Sequence, residues 1–235
     1  MKNSIGVVIP AYNPNLKTLE GYVRDLDKVL CPDIILIEID DPSELMLSQM
    51  EGISAKVEVS DRKRGKGAAI TRGFNKLKSD ILVFVDADGS IPAKSVEKVC
   101  DSIIKLDVDL AVGSRRHPDS NIKFHQGNVR KLLGDGFSFL SRVLLEVKLY
   151  DYQCGVKAID RKVWEEVQRD IERKGFSWDI ELISIVSMRG YNIKEVPIEW
   201  DDQPGSTVKI IPTMLELFNA LFTVRRKIKK LRRVQ

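Results

Sequence analysis

Hydrophobic positions along the chain fall into short β-branched runs separated by stretches in which apolar residues recur every three or four positions. The first pattern predicts strands buried on both faces and the second amphipathic helices. Their alternation predicts βα units on a mainly parallel sheet. Residues 5–9 and 34–39 are core-strand runs that end in turn formers, Pro10 and Asp40-Asp41-Pro42. Between them Leu19, Val23, Leu26 and Leu30 keep helical spacing until Cys31-Pro32 stops the helix. Val57 and Val59 alternate with polar residues as an edge strand, residues 61–66 form a charged loop, and 67–77 a helix with Ile70, Phe74 and Leu77 inward. A strand over 81–85, a helix over 92–105 and a short strand over 110–112 follow. Residues 114–135 are polar and predict a mobile stretch leading into a helix near 137–145. A turn at 151–155, helices near 161–172 and 179–188, and a strand over 193–200 complete one domain, residues 1–212. Residues 213–235 form a separate amphipathic, basic helix.

With 235 residues, 43% of them hydrophobic, the chain can bury the core of one larger α/β domain. It has no apolar run long enough to span a bilayer, and its N-terminus lacks the longer apolar core and cleavage site of a signal peptide, so a cytoplasmic location is expected. Cys31, Cys100 and Cys154 are widely spaced and suit packing better than metal binding or cross-linking. The formal charge of +4 is local, because seven of the nine residues 225–233 are basic; without them 31 cations face 34 acidic residues. Nucleic-acid binding would need a basic face spread over the fold with aromatics for stacking. A membrane surface fits the basic segment better.

Residues 81–90, Ile-Leu-Val-Phe-Val-Asp-Ala-Asp-Gly-Ser, deliver Asp86 and Asp88 at the carboxyl end of an apolar run, where ligands bind in open α/β sheets. Paired carboxylates suit Mg²⁺ or Mn²⁺, hard cations that keep open positions for substrate phosphates. The same residues also suit a plain polar turn. Three more polar clusters stand at element ends: Pro10-Ala11-Tyr12-Asn13, Asp40-Asp41-Pro42-Ser43 and residues 62–67. On a nucleotide, Tyr12 could stack on a base and Asp40 accept the imide N–H of uracil, while Lys66 and the helix amides after Gly67 offer positive potential. Taken singly, each cluster is equally a turn. Gly65-Lys66-Gly67 lacks P-loop spacing, and the missing glycine fingerprint disfavours a Rossmann dehydrogenase.

In order, Pro10-Ala-Tyr-Asn13, Asp40-Asp41-x-Ser43, Arg64-Gly-Lys-Gly-Ala-Ala69, Asp86-Ala-Asp88-Gly and Gly113-Ser-Arg115 resemble the family 2 inverting glycosyltransferases of GT-A fold, over residues 5–210. Asp151-Tyr-Gln-Cys-Gly-Val-Lys157, Trp178-Asp-Ile-Glu-Leu182 and Val196-Pro-Ile-Glu-Trp200, followed by Pro204-Gly-Ser206, are similar to the dolichyl-phosphate glucosyltransferases, with dolichyl-phosphate mannose synthases as near relatives. The resemblance implies a Rossmann-like nucleotide-diphospho-sugar transferase, an α/β fold whose mainly parallel sheet is flanked by helices. It places Pro10, Tyr12 and Asp40 on the nucleoside, with Lys66, Asp86, Ala87 and Asp88 completing the donor site. It gives Asp86 and Asp88 a Mg²⁺ or Mn²⁺ ion and sets Arg115 on phosphate. Pro14, Pro42 and Thr207 stand where the family commonly has an acid, a glycine and a lysine, and Lys209 is a candidate to replace the last.

The activity so implied is metal-dependent inverting transfer of a glucose-like hexose from a UDP-sugar to dolichyl or another polyprenyl phosphate. Such a transfer passes through a transition state with oxocarbenium character, and the growing charge on the departing diphosphate needs cationic stabilisation beside Asp88. A lipid monophosphate, with a second pKa of about 6, arrives ionised and needs arginines rather than a base. Arg115 is the first candidate; Arg116 and Arg130 are read equally well as a solvated loop. A saccharide hydroxyl would need a carboxylate base, for which Asp179 and Glu181 are available, although acidic residues also favour a helix start. A GDP-mannose donor and a catalytically silent nucleotide-sugar-binding module stay open as well. His117 and His125 read as loop residues. The stripe Met214, Leu217, Phe218, Leu221 and Phe222, with the cations after it, predicts peripheral contact with the cytoplasmic face of a membrane. An ordinary terminal helix packed on the body is the competing possibility.

Overall fold

The structure, a computed structural model, describes residues 3–123, 128–201 and 210–233. Its first half alternates as the periodicity predicts, apart from the added helix α2: β1 (Ile5–Ala11), α1 (Leu16–Leu30), β2 (Ile34–Asp40), α2 (Glu44–Met50), β3 (Lys56–Ser60), α3 (Lys66–Lys76), β4 (Ile81–Val85), α4 (Ala93–Leu106) and β5 (Leu110–Ser114). Then come β6 (Asn121–Ile122), α5 (Asn128–Leu145), β7 (Val156–Asp160), α6 (Arg161–Val167), α7 (Trp178–Met188), β8 (Ile193–Pro197), β9 (Glu199–Trp200) and α8 (Ile210–Leu231).

Seven strands form one sheet in the order β3-β2-β1-β4-β7-β5-β8, and β6 pairs with β9 in a small second sheet. All neighbours in the large sheet run parallel except β7, which is antiparallel to both β4 and β5. Strand order reverses between β1 and β4, which opens the crevice where such sheets take ligands. Because β7 runs the other way, its beginning lies at the carboxyl ends of β4 and β5. The loop 151–155 therefore joins the same edge as Tyr12, Asp40 and Asp86.

Helices cover both faces. Leu19, Val23 and Leu26 of α1 and Val96 and Val99 of α4 pack with one set of strand residues. Ile70 and Phe74 of α3, Trp164 of α6, most of α7 and the inner side of α8 pack with the other. Helix α7 buries every residue from Trp178 to Val186 and so has no polar face to display.

Sequence pattern missed three features here. Strand β7 was hidden because Lys157 interrupts Val156-Lys-Ala-Ile-Asp160, and a lysine seldom sits inside a sheet; here it is 1% exposed and paired. Helix α2 is short, started by Ser43, whose hydroxyl accepts from the Met46 amide. The expected strand over 193–200 is two pieces, which separate at Ile198 to join different sheets.

The C-terminal segment differs from the expected free amphipathic helix. It begins at Ile210 and uses Leu217, Ala220, Leu221, Val224 and Ile228 to pack in the same core as α7. The ring of Phe218 meets that of Phe137 edge-on at 5.7 Å. Most of the stripe expected to face lipid is therefore spent inside the protein.

Gly67, in the first turn of α3, makes the close approach of α3 to α7 possible. A Cβ there would lie 2.4 Å from the Trp178 Cβ. Gly67→Ala should lower stability by about 2 kcal/mol despite the better helix propensity of alanine. Gly21→Ala in α1, where an added Cβ meets nothing within 4 Å, should instead raise it by about 0.5 kcal/mol. Denaturant midpoints with unchanged slopes check both.

Candidate functional site

Asp86 directly follows β4, and its amide donates to the Gly155 carbonyl at 2.9 Å, so the start of β7 holds the acidic tip in place. A side chain at 155 would collide with it: a Cβ would sit 2.4 Å from the Asp86 Oδ2. Asp88 lies in the next turn, its Oδ1 accepting from the Ser90 amide at 2.9 Å, and Gly89 takes a left-handed φ of 69° that completes the turn. Lys66, first residue of α3, places its Nζ 2.7 Å from the Asp86 Oδ1. Below them Lys157 sits 2.6 Å from Asp179 and donates to the Cys154 carbonyl at 3.1 Å. The Phe84 ring stands 5.1 Å from the Lys66 ammonium and 5.4 Å from that of Lys157.

These charges tune one another. Partial enclosure raises the Asp88 carboxyl above its ordinary value, and the like charge of Asp86 adds to this. Burial alone would lower the Lys66 ammonium; Asp86, and then Asp179, more than offset it, so Lys66 is raised and stays charged. The tip therefore pairs two crowded carboxylates with one fixed cation.

On the nucleoside side of the crevice, Tyr12 is half exposed with the Lys63 ammonium 3.7 Å above its ring, and Pro10 is the penultimate residue of β1. Asp40 is buried and accepts three hydrogen bonds within the protein: Oδ2 accepts from the Arg64 and Gly65 amides at 2.7 and 2.8 Å, and Oδ1 from the Arg72 guanidinium at 2.8 Å. Arg72 and Lys76 also grip the buried Glu38. This cluster orders the loop that presents Lys66. Of the helix amides expected to offer positive potential, that of Ala68 is taken by the Lys174 carbonyl.

Arg115, expected on phosphate, is clamped by Asp151. Its Nε and Nη2 reach the two carboxylate oxygens at 2.7 and 2.9 Å, its amide donates at 3.1 Å, and Asp151 is only 2% exposed. Arg116 pairs with Asp135 in the first half of α5. Asp179, expected as a possible base, faces Lys157 below the tip at 1% exposure rather than the open crevice. Glu181 is equally buried, accepting from the Glu172 and Arg173 amides and pairing with Lys227 of α8. His117 is a loop residue beside Asp119. His125, Thr207, Lys209 and Pro204-Gly-Ser206 lie outside the described residues, as does the side chain of Arg130.

With this geometry established, comparison with known proteins is decisive for the family. The pattern of "Glycosyl transferase family 2" matches residues 6–168. The chain belongs to that family. Among curated relatives, glycosyltransferase AglD of Haloferax volcanii is 28% identical over 90% of this chain, which spans 35% of AglD's own length. Dolichyl-phosphate beta-glucosyltransferase of Dictyostelium discoideum is 25% identical over 94% of the chain and 73% of the relative. Polyprenol monophosphomannose synthase of Mycolicibacterium smegmatis is 29% identical over 84% and 77%. Glucosyl-3-phosphoglycerate synthase of Mycobacterium tuberculosis, crystallised with Mn²⁺, UDP and glucosyl-3-phosphoglycerate, superposes with a TM-score of 0.72 at 16% identity, covering 94% of this chain and 80% of that one. Mannosyl-3-phosphoglycerate synthase of Rubrobacter xylanophilus gives 0.74 at 17% identity, covering 99% and 76%. The mixed sheet described above is thus the glycosyltransferase fold of GT-A type.

For this family 2 chain, the sequence missed Gly155, Lys157, Arg72 and Glu38 as parts of the site. Gly155 and Lys157 stand in the Asp151–Lys157 motif, which carried the resemblance but not their roles, while Arg72 and Glu38 carry no signal along the chain; each acquires its role from a partner distant in sequence, except for the short Lys157–Cys154 bond. A metal ion fits the donor set: Asp86 and Asp88 supply hard oxygens at the mouth, and their mutual repulsion is what a cation relieves. Among the described residues no third histidine, cysteine, aspartate or glutamate completes a cluster, so phosphate oxygens and water would supply the remaining positions.

The Arg115–Asp151 clamp has a pH signature. Burial would raise the Asp151 carboxyl, but Arg115 overcomes it and holds the group at about 2, below its ordinary 3.8. The folded-state value is depressed, so this stabilisation, about 2 kcal/mol, is present above pH ~4 and lost as pH falls towards ~2. Asp151→Asn should flatten that part of the stability profile and cost about 2 kcal/mol at neutral pH, because a partly buried guanidinium loses its counter-charge. Chemical denaturation from pH ~2 to ~7 measures both; an unchanged acid limb would show that the pair does not organise the loop.

Proposed function

We propose that the chain transfers a hexose, of glucose type, from a UDP-sugar to dolichyl or another polyprenyl phosphate, with Mg²⁺ or Mn²⁺ at the acidic tip. The carrying observation is the juxtaposition of Asp86, Asp88 and Lys66 at the sheet's switch point, while Asp179 and Glu181 are buried and ion-paired. The first three suit a sugar diphosphate. The last two leave the candidate bases of a hydroxyl acceptor unable to reach a substrate, which favours an acceptor that arrives ionised. Relatives whose names specify dolichyl phosphate or polyprenol monophosphate lend the same support.

Asp86 and Asp88 would hold the cation, which when bound offsets charge on the departing diphosphate. Tyr12 offers a ring for the base, with Pro10 and Ala87 shaping the floor of the crevice. Asp40 acts at one remove, by fixing the loop that carries Lys66, and Lys66 exchanges its bond with Asp86 for phosphate oxygens. Arg115 keeps Nη1 outside its clamp, available to an anionic acceptor, with Asp151 fixing the plane of the guanidinium. Asp179 holds Lys157 beneath the tip. An acceptor anchored in lipid implies work at a membrane surface, on the cytoplasmic side for a cytosolic donor; no described helix is long and apolar enough to cross a bilayer.

The test is transfer from a panel of UDP- and GDP-sugars to a short polyprenyl phosphate, with Mg²⁺ or Mn²⁺. Label should move from UDP-glucose to lipid, and Asp88→Ala or chelation should each lower the rate by about 10²-fold or more. Turnover that survives both overturns the metal assignment. Transfer only to saccharide hydroxyls overturns the acceptor.

A further inference from the structure

We propose that the outer face shared by α5 and α8 docks on an anionic lipid bilayer. The two helices lie side by side and run parallel: Phe137 meets Phe218, Arg225 donates to the Leu144 carbonyl at 3.0 Å, and Arg232 pairs with Glu146 at 3.2 Å. On α8, Leu215, Phe222, Arg226 and Lys229 recur at helical spacing as one stripe, beside the seam rather than in it, and Arg233 follows in the turn after the helix. On α5, Phe139 and Val143 stand one residue round from Leu140 and Leu144, which pack inward. Phe139 is 68% exposed, Leu215 66%, Val143 55% and Phe222 49%. Four outward apolar side chains thus gather on two adjoining helices.

Charge identifies the occupant. Three basic residues in or just after α8 are spent within the protein: Lys227 on Glu172 and Glu181, Arg225 on the Leu144 carbonyl, and Arg232 in an exposed pair with Glu146. Arg226, Lys229, Lys230 and Arg233 have no carboxylate partner among the described residues, and Arg142 of α5 rests on the Tyr150 ring. Apolar side chains bordered by unpaired cations match the headgroup boundary of an anionic bilayer, where rings and aliphatic chains sink below the phosphates. The expected lipid-facing stripe was thus displaced on the helix: its Leu217 and Leu221 are core, and the exposed stripe is rotated from it and completed by α5.

The face also leads to the site. On α5 Asp135 holds Arg116, next to Arg115, and near the α8 start Glu216 accepts from the Ser177 hydroxyl at 2.9 Å, immediately before α7. A bilayer against this face would lie alongside the crevice, where a lipid-anchored phosphate could enter. In this respect the inference rests on and deepens the lipid-acceptor reading, yet it is tested without any turnover.

Sedimentation with vesicles of phosphatidylcholine alone, and with about a third phosphatidylglycerol, measures the docking. The intact chain should sediment with the anionic vesicles and be released by salt. The double variant Phe139→Glu/Phe222→Glu, and separately Arg226→Glu/Lys229→Glu, should each weaken binding by about tenfold or more. All four side chains lie outside the core, so thermal midpoints should not move, and transfer to a short polyprenyl phosphate in detergent should keep its rate. An intact chain that stays in the supernatant at low salt overturns the proposal, as do variants that bind equally. A dimer in solution that both variants dissociate would reassign the face to a second copy of the chain. Loss of lipid-phosphate transfer with vesicle binding intact would count against the acceptor and leave the docking face standing.

Discussion

A backbone hydrogen bond from Asp86 to Gly155 ties the end of one central strand to the beginning of its antiparallel neighbour. This tie fixes the chain at Asp86, and residue 155 has no side chain to occupy the space of its carboxylate, which stands two residues from Asp88. Two carboxylates in such proximity repel, and the fold answers with Lys66 above and the Lys157–Asp179 pair below. Acidic and basic groups alternate from the crevice into the interior, so the tip is charged without being surrounded by uncompensated charge.

That arrangement gives up stability for order. A buried lysine–aspartate pair recovers little beyond its desolvation cost, and Lys157 takes a position that an apolar residue would fill at lower cost. What the pair provides is orientation: it sits between β7 and α7, while Phe84 and Trp178 meet edge-on at 5.6 Å in the same layer. Glu38, Asp40, Arg72 and Lys76 do the corresponding work on the nucleoside side, and Arg115 with Asp151 on the side proposed for the phosphate acceptor. Three ion-paired clusters thus frame the crevice, each contributed by residues distant along the chain.

Legibility in the sequence followed the range of the interaction. Strands β1, β2 and β4 and helices α1, α3 and α4 could be read because apolar spacing is local and strand ends carry turn formers. Asp86 and Asp88 could be read because both lie in one turn after an apolar run. β7 could not, since Lys157 becomes intelligible only against Asp179, far along the chain on α7. Similarly, nothing near Asp40 announces that its oxygens accept from the Arg64 and Gly65 amides and from Arg72. Helix α8 showed its amphipathic character plainly but not which side the body would claim, because that is decided by α5 and α7.

Everything proposed for the crevice requires that the nucleotide's diphosphate and a divalent ion meet at Asp86 and Asp88. Calorimetric titration of UDP into the protein, with Mn²⁺ or with a chelator, reports on that meeting. Binding to the intact chain should depend on Mn²⁺, and it should be lost in folded Asp86→Asn/Asp88→Asn protein at the same Mn²⁺ concentration. Equally strong Mn²⁺-dependent binding by that variant would place the metal and the diphosphate elsewhere, and the acidic tip would lose its assigned role.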